Sequence, residues 1–229
     1  MSLLRKIANH DDAHSVAAKL RKRRFAFFSR LLDGVPRPIK ILDVGGTEGF
    51  WRNMNFQTND VQITLLNLEK QGTSSKNISS IAGDARQMSG LQDQSFDVVF
   101  SNSVIEHLGD FGSQQKMAGE IRRIGRRYFV QTPNRGFPME PHFLFPFFQF
   151  FPFSARVWIA SHYKIGWYCR PNDPAAARRE VEAIRLLNQQ EFQSLFPEAK
   201  FYRERFFGMT KSFIAYHGWD NDGSLDSTS

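Results

Sequence analysis

The run Ile41-Leu42-Asp43-Val44 carries an acid near its end and passes straight into Gly45-Gly46-Thr47-Glu48-Gly49-Phe50. A short apolar strand that runs into a glycine-rich turn is how a buried parallel strand brings its backbone up to a nucleotide-like ligand. Glycine tolerates positive φ, and its missing Cβ lets another group approach the main chain closely. The spacing narrows the ligand. A dinucleotide fingerprint needs glycine at positions 45, 47 and 50, and the residues there are Gly45, Thr47 and Phe50. The nicotinamide pattern therefore fails at two of three places. Read as acid-x-Gly-x-Gly-x-Gly, the segment fits at Asp43, Gly45 and Gly49, with Thr47 in place of the middle glycine.

Three further runs repeat the theme of a strand ending in polar residues. Val61 to Glu69 is β-branched and apolar, and closes on Asn67-Leu68-Glu69. Ile78 to Ala82 leads into Gly83-Asp84-Ala85. Ser95 to Leu108 holds the apolar run Val98-Val99-Phe100, then Ser101-Asn102-Ser103, then Glu106-His107. Its continuous apolarity suits a parallel strand buried on both faces.

Together these segments resemble the class I S-adenosylmethionine-dependent methyltransferases, in particular the type 11 branch, from about residue 38 to residue 217. The resemblance implies a Rossmann-like α/β fold with a mainly parallel seven-stranded sheet, helices on both faces and an aromatic-rich lid. It implies S-adenosyl-L-methionine as cofactor and S-adenosyl-L-homocysteine as product. By the same resemblance Asp43, Gly45, Gly46, Thr47 and Gly49 face the methionine and ribose parts of the cofactor. Asn67, Leu68 and Glu69 face the ribose, Gly83, Asp84 and Ala85 the adenine, and Ser101 and Asn102 the sulfur side. The family's usual acid at the end of the second strand is here Asn67, which accepts hydrogen bonds but carries no charge. Glu69 lies two residues on, so it shares a face with Asn67 if the strand continues. The tetrapeptide that marks methylation of exocyclic base amines is absent after Asn102.

The remaining core follows the pattern. Gln114 to Arg127 reads as an amphipathic helix with a basic last turn, and Tyr128 to Thr132 as a fifth strand. A short helix over 188–197 precedes two strands, Lys200 to Phe206 and Lys211 to Tyr216, joined at Phe207-Gly208-Met209. With 229 residues and 41% hydrophobic content, residues 1–219 are expected to form one domain, followed by a disordered polar tail over 220–229. The lone Cys169 excludes a disulfide framework and favours a reducing, cytoplasmic setting. Met1 to His10 lacks an apolar core, so no secretory leader is expected.

Two segments lie outside that core. The N-terminal segment, residues 1–37, is basic. Its helix, expected over Ala13 to Leu32, carries Lys19, Arg21, Lys22, Arg23 and Arg24 beside an apolar stripe of Phe25, Phe27, Phe28, Leu31 and Leu32. A solvated basic face explains it; an anionic membrane surface or a nucleic acid backbone are sharper readings. The second segment is a lid over 134–185, in which seven of the eleven residues Phe143 to Phe153 are Phe. Its prolines forbid one long helix, so short helical turns are expected. Trp158, His162, Tyr163, Trp167 and Tyr168 continue the aromatic run.

Glu140-Pro141-His142 is the polar exception in the lid. His142, flanked by Glu140, and His107 are the candidate proton acceptors. Metal binding by Glu140, His142 and His107 is the weaker reading, because no ligand spacing recurs, and no metal is expected. These features imply methyl transfer to a small apolar, aromatic or lipid-like acceptor. A nucleic-acid methyltransferase and a cofactor-binding module without turnover are the alternatives; oligomeric state is not legible.

Overall fold

The computed structural model describes residues 15–56, 58–166 and 174–219. Trp167, Tyr168, Cys169 and the tail over 220–229 lie outside the described residues. Helix α1 (Val16–Asp33) starts where the Ser15 hydroxyl accepts the amide of Ala18. It leads into β1 (Ile39–Val44), α2 (Glu48–Asn53), β2 (Val61–Asn67), β3 (Ile78–Ala82) and β4 (Val98–Asn102). A 3-10 turn (Ile105–Leu108), α3 (Phe111–Ile124) and β5 (Tyr128–Pro133) follow. The seven-stranded sheet has the order β3-β2-β1-β4-β5-β9-β8, completed by β8 (Lys200–Phe206) and β9 (Met209–His217). Strands β1 to β5 pair in parallel, while β9 runs antiparallel to both β5 and β8. This is the mainly parallel, Rossmann-like seven-stranded architecture that the resemblance implies.

Each face of the sheet has its own core. On one, Phe25, Phe28, Leu31 and Leu32 of α1 pack with Trp51, Phe100 and Phe129. Phe100 and Phe129 stack at 5.7 Å between ring centroids. On the other, Met117, Ile121 and Ile124 of α3 meet Val99, Val130 and Phe192. The apolar stripe of α1 is therefore core, as its spacing predicts. Its basic residues divide differently from the expected solvated face: Lys19, Lys22 and Arg23 are exposed, but Arg24 is buried.

Several boundaries move for local reasons. Strand β2 stops at Asn67 because its ladder to β3 ends at the pair Asn67 and Ala82. Glu69 then lies in an exposed bend, and it does not continue the face of Asn67 along a strand. Helix α3 begins three residues earlier than its periodicity suggests, since the Asp110 carboxylate accepts the amide of Ser113. Strand β9 gains Met209 because the hairpin turn is two residues long, Phe207 and Gly208, both at positive φ.

The lid holds more regular structure than the expected helical turns. It contains a short ribbon of β6 (Met139–Glu140) and β7 (Phe145–Pro146), a 3-10 turn (Phe148–Phe150), α4 (Phe153–His162) and α5 (Pro174–Ala183). The prolines start these helices: Pro152 immediately precedes α4 and Pro174 opens α5, where a missing N–H costs little. The chain then enters α6 (Gln189–Leu195) through a capping box, with Asn188 accepting from the Glu191 amide and the Glu191 carboxylate accepting from that of Asn188. Replacing Asn188 by Ala should cost about 1 kcal/mol in urea unfolding, the usual worth of such a cap.

Candidate active site

The carboxyl ends of β1, β2 and β4 converge as a doubly wound sheet requires of a ligand crevice. Gly45 takes φ +76°, and a Cβ there would come within 2.6 Å of Val104. A Cβ on Gly46 would lie 1.7 Å from Oδ2 of Asp43. Asp43 is itself wholly buried and accepts from Nε1 of Trp51 at 2.7 Å. Burial pushes its pKa up to about 7, against the opposing pull of the Trp51 hydrogen bond. Gly46 is thus fixed by the turn folding onto its own strand, and Gly45 by the segment that follows β4. Thr47, the departure from the middle glycine, caps α2: its hydroxyl accepts the amide of Phe50 at 3.3 Å. The substitution exchanges freedom in the loop for a helix cap.

Asn67 donates from Nδ2 to the carbonyl of Gly46 at 3.0 Å, which ties the second strand to the glycine turn. Its Oδ1 is left as an acceptor. Leu68 beside it is 77% exposed, an apolar side chain standing free at a strand end. Asp84 faces the same end but is gripped by Arg86, with Nη2 to Oδ2 at 2.6 Å and Nε to Oδ1 at 2.9 Å. That pair holds the Asp84 carboxyl below its ordinary pKa. Gly83 donates to the carbonyl of Asn67 at 2.8 Å, and Ala85 packs against the core. The hydroxyl of buried Ser101 reaches the carbonyl of Val44 at 3.3 Å. An adenosyl group fits this set: Leu68 offers a flat apolar contact, Asn67 an acceptor for a hydroxyl, and the Gly46 and Gly49 backbone close approach.

Behind Asn102 lies a network that sequence reading missed. The Arg24 guanidinium, from the N-terminal helix, donates to Asn102 Oδ1 at 2.5 Å and Gln131 Oε1 at 2.8 Å. It also meets Glu204 on β8, with Nη2 to Oε2 at 2.8 Å. Glu204 accepts from the Ser212 hydroxyl at 2.7 Å, and Gln131 from that of Ser103 at 2.8 Å. Burial would raise the Glu204 pKa, but Arg24 and then Lys211 hold it below its ordinary value. Glu48 was missed too. Its carboxylate accepts from the amides of Ser74 and Ser75, both at 2.9 Å, and so clamps the loop after β2. Neither role has a local sequence signal, since the partners are remote in the chain.

The candidate proton acceptors do come together. The rings of His107 and His142 meet edge to face with centroids 4.7 Å apart. Glu140, 2% exposed, faces His142 Nδ1 at 2.7 Å and accepts the amides of His142 and Phe143. Burial opposes charge on His142, yet the Glu140 hydrogen bond and the charges of Glu140 and Glu106 raise its pKa. Desolvation, and then His142, push His107 down to about 4. Glu106 completes the group. It is fully buried, with Oε2 accepting from the Thr132 hydroxyl at 3.0 Å and Oε1 without a partner. Burial raises its pKa.

The lid divides its aromatics between a small core and a surface. Phe143 and Phe148 are buried at 4.3 Å between centroids, while Phe147, Phe150, Phe151, Trp158 and Tyr163 are between 40% and 55% exposed. It is anchored beside β4 by the Arg185 amide, which donates to the carbonyl of Glu106 at 2.8 Å. Beneath it lies a cavity of about 330 Å³, walled by Phe143, Phe148 and Phe153 and reached by Arg135, Arg156 and Arg185.

Comparison with known proteins agrees with this geometry. Residues 42–127 match the model of a methyltransferase domain. The CurJ carbon methyltransferase has TM-score 0.58 at 10% identity, over 94% of this chain and 57% of that one. The methyltransferase domain of bacterial CtHen1 has TM-score 0.51 at 15% identity, over 86% and 98%. The N-methyltransferase NodS from Bradyrhizobium japonicum WM9 has TM-score 0.50 at 11% identity, over 90% and 97%. The chain spans 57% and 58% of the lengths of the first two solved structures it resembles. No curated protein matches it. Among the described residues no helix is long and apolar enough to cross a membrane. Residues 42–127 thus resemble a methyltransferase domain, and the strand order around the glycine turn is the fold of the solved methyltransferase structures.

Proposed function

We propose that the protein methylates a small aromatic or lipid-like acceptor that carries an acidic group and is held under the lid. The observation that carries this reading is the lid cavity. Phe143, Phe148 and Phe153 suit a flat apolar body. Arg156 holds a buried Nε with no hydrogen-bond partner, and burial together with neighbouring Arg135 lowers its pKa. The acids that line the same cavity are already engaged, Glu140 with His142 and Glu182 with Arg178. Two like charges converging where the neighbouring acids are already engaged invite an anion.

S-adenosylmethionine, when bound, supplies a methyl group already activated by its sulfonium. The residues of this chain therefore contribute alignment and exclusion of water. Asn67 and Leu68 hold the nucleoside, and Asn102 is oriented by Arg24. His142, steadied by Glu140, is the proton acceptor for an acceptor hydroxyl. The exposed aromatics of the lid suit delivery of such an acceptor from an apolar phase, at the cytoplasmic face of a membrane. The nucleic-acid reading is less favoured, because the basic run on α1 gives Arg24 to the interior.

The test is methyl transfer from labelled S-adenosylmethionine to hydroxylated aromatic and fatty acids, beside their neutral amides. Acids should be preferred at least about tenfold, the worth of one charge-assisted hydrogen bond. Arg156→Gln should remove the preference, and equal use of acids and amides would sink the reading. For the cofactor, calorimetric titration with S-adenosylhomocysteine should show Asn67→Ala binding about tenfold weaker than wild type, with NAD inert. Unchanged affinity would remove Asn67 from the site.

A further inference from the structure

Glu106, His107 and His142 come from two distant parts of the chain, the 3-10 turn after β4 and the lid ribbon. One ligand atom from each lies within 4.8 Å of the other two. Two imidazoles and a carboxylate are a donor set for divalent first-row transition ions. Two further observations point to an ion. Glu106 is fully buried, and its Oε1 has no partner although Oε2 is satisfied by Thr132. A buried carboxylate oxygen left bare is costly, and a cation removes that cost. His142 is arranged as metal-bound histidines usually are, with Nδ1 against the carboxylate of Glu140 and Nε2 as the other ring nitrogen, available to an ion.

We propose that Glu106, His107 and His142 form a binding site for a divalent transition ion such as Zn²⁺, with Glu140 as the positioning residue for His142. Two ligands at about 2.1 Å from one ion stand no more than about 4.2 Å apart. Binding therefore draws the three groups slightly closer. Three protein donors leave a coordination position for a water or an acceptor oxygen. The His142 ring would then serve as a ligand, and the ion would lower the pKa of a bound acceptor hydroxyl, whose proton would leave to solvent. That role rests on the methyltransferase reading; the binding does not.

The experiment uses the full chain without a histidine tag, stripped by chelator and titrated with Zn²⁺ and then with Co²⁺. The site predicts one equivalent of Zn²⁺ bound more tightly than about 1 μM, and visible absorption from Co²⁺ in a nitrogen and oxygen field. Glu106→Gln, His107→Ala and His142→Ala should each weaken Zn²⁺ at least about tenfold, and Glu140→Gln should weaken it about 10–100-fold with the ligands intact. His162→Ala, which removes an exposed ring stacked on Trp158, should change nothing. Titration of each sample with S-adenosylhomocysteine reports folding and the cofactor site separately. Zn²⁺ affinity unchanged by the three ligand substitutions overturns the site. So does absence of Zn²⁺ binding in a sample that binds S-adenosylhomocysteine, and that result leaves the methyltransferase reading standing. Zn²⁺ binding that depends on the three ligands, without S-adenosylhomocysteine binding, supports the site and counts against the cofactor.

Discussion

Replacing Arg24 by Ala will destabilise the protein by about 3–5 kcal/mol, seen as a fall in the urea midpoint. The side chains of Arg24 and Glu204 are only 8% and 7% exposed, so removing the cation leaves a carboxylate buried without its main counter-charge. Lys211 approaches Glu204 at 3.9 Å and offsets part of the loss. Breaking one side of such a pair costs far more than the pair contributes over an apolar replacement. The double variant Arg24→Met with Glu204→Gln should therefore recover most of the stability. It should not recover affinity for S-adenosylhomocysteine, because Asn102 and Gln131 lose the donor that orients both. A loss below about 1 kcal/mol in Arg24→Ala would mean that the pair behaves as a solvated surface bridge.

The pH dependence of stability should carry the signature of Asp43. Its folded pKa is raised to about 7, while an unfolded Asp titrates at its ordinary 3.8. Between those values the folded protein keeps a proton that the unfolded chain has released. The associated stability is present in full below the unfolded pKa and is lost as pH rises through the folded one. A shift of roughly three units corresponds to about 4 kcal/mol as an upper limit. Other groups titrate in the same window, His107 with the opposite sign. The measurement is therefore the difference between Asp43→Asn and wild type, by urea unfolding of cofactor-free protein from pH 4 to pH 8. That difference should grow in favour of the variant as pH rises. A flat difference across the window would show that the carboxyl ionises without penalty, so that solvent reaches it.

The strand endings were legible because each is a local conflict between burial and chemistry. Asp43, Asn67, Asp84 and Asn102 are polar groups set within or close after apolar runs, and all four fall within two residues of the carboxyl ends of parallel strands. The stripe of α1 was legible for the same kind of reason, since Phe25, Phe28 and Leu32 recur at helical spacing and are buried. Where periodicity is the only signal, ends drift. Helix α3 begins earlier and ends earlier than its pattern suggests, because the Asp110 cap and Gly125 decide its limits.

The partners of the buried charges were not legible. Arg24 reads as one of a cluster of exposed cations; only the arrival of Glu204, 180 residues away, makes it an interior anchor. Glu106 reads as a loop-tying acid, and only the lid ribbon brings His142 to it. The aromatic run shows the same limit. Phe148 and Phe151 are the same residue type three positions apart, yet one is buried and the other 40% exposed.

Sequence alone determined where the strands and turns fall along the chain and where the glycine turn lies. Those depend on backbone freedom and on apolar periodicity, which act over a few residues. Tertiary structure alone decided which charges are neutralised, which aromatics face outward and which side chains meet at the lid ribbon. Those outcomes depend on burial and on pairing between remote segments, and a buried charge has no fixed meaning until its partner has arrived.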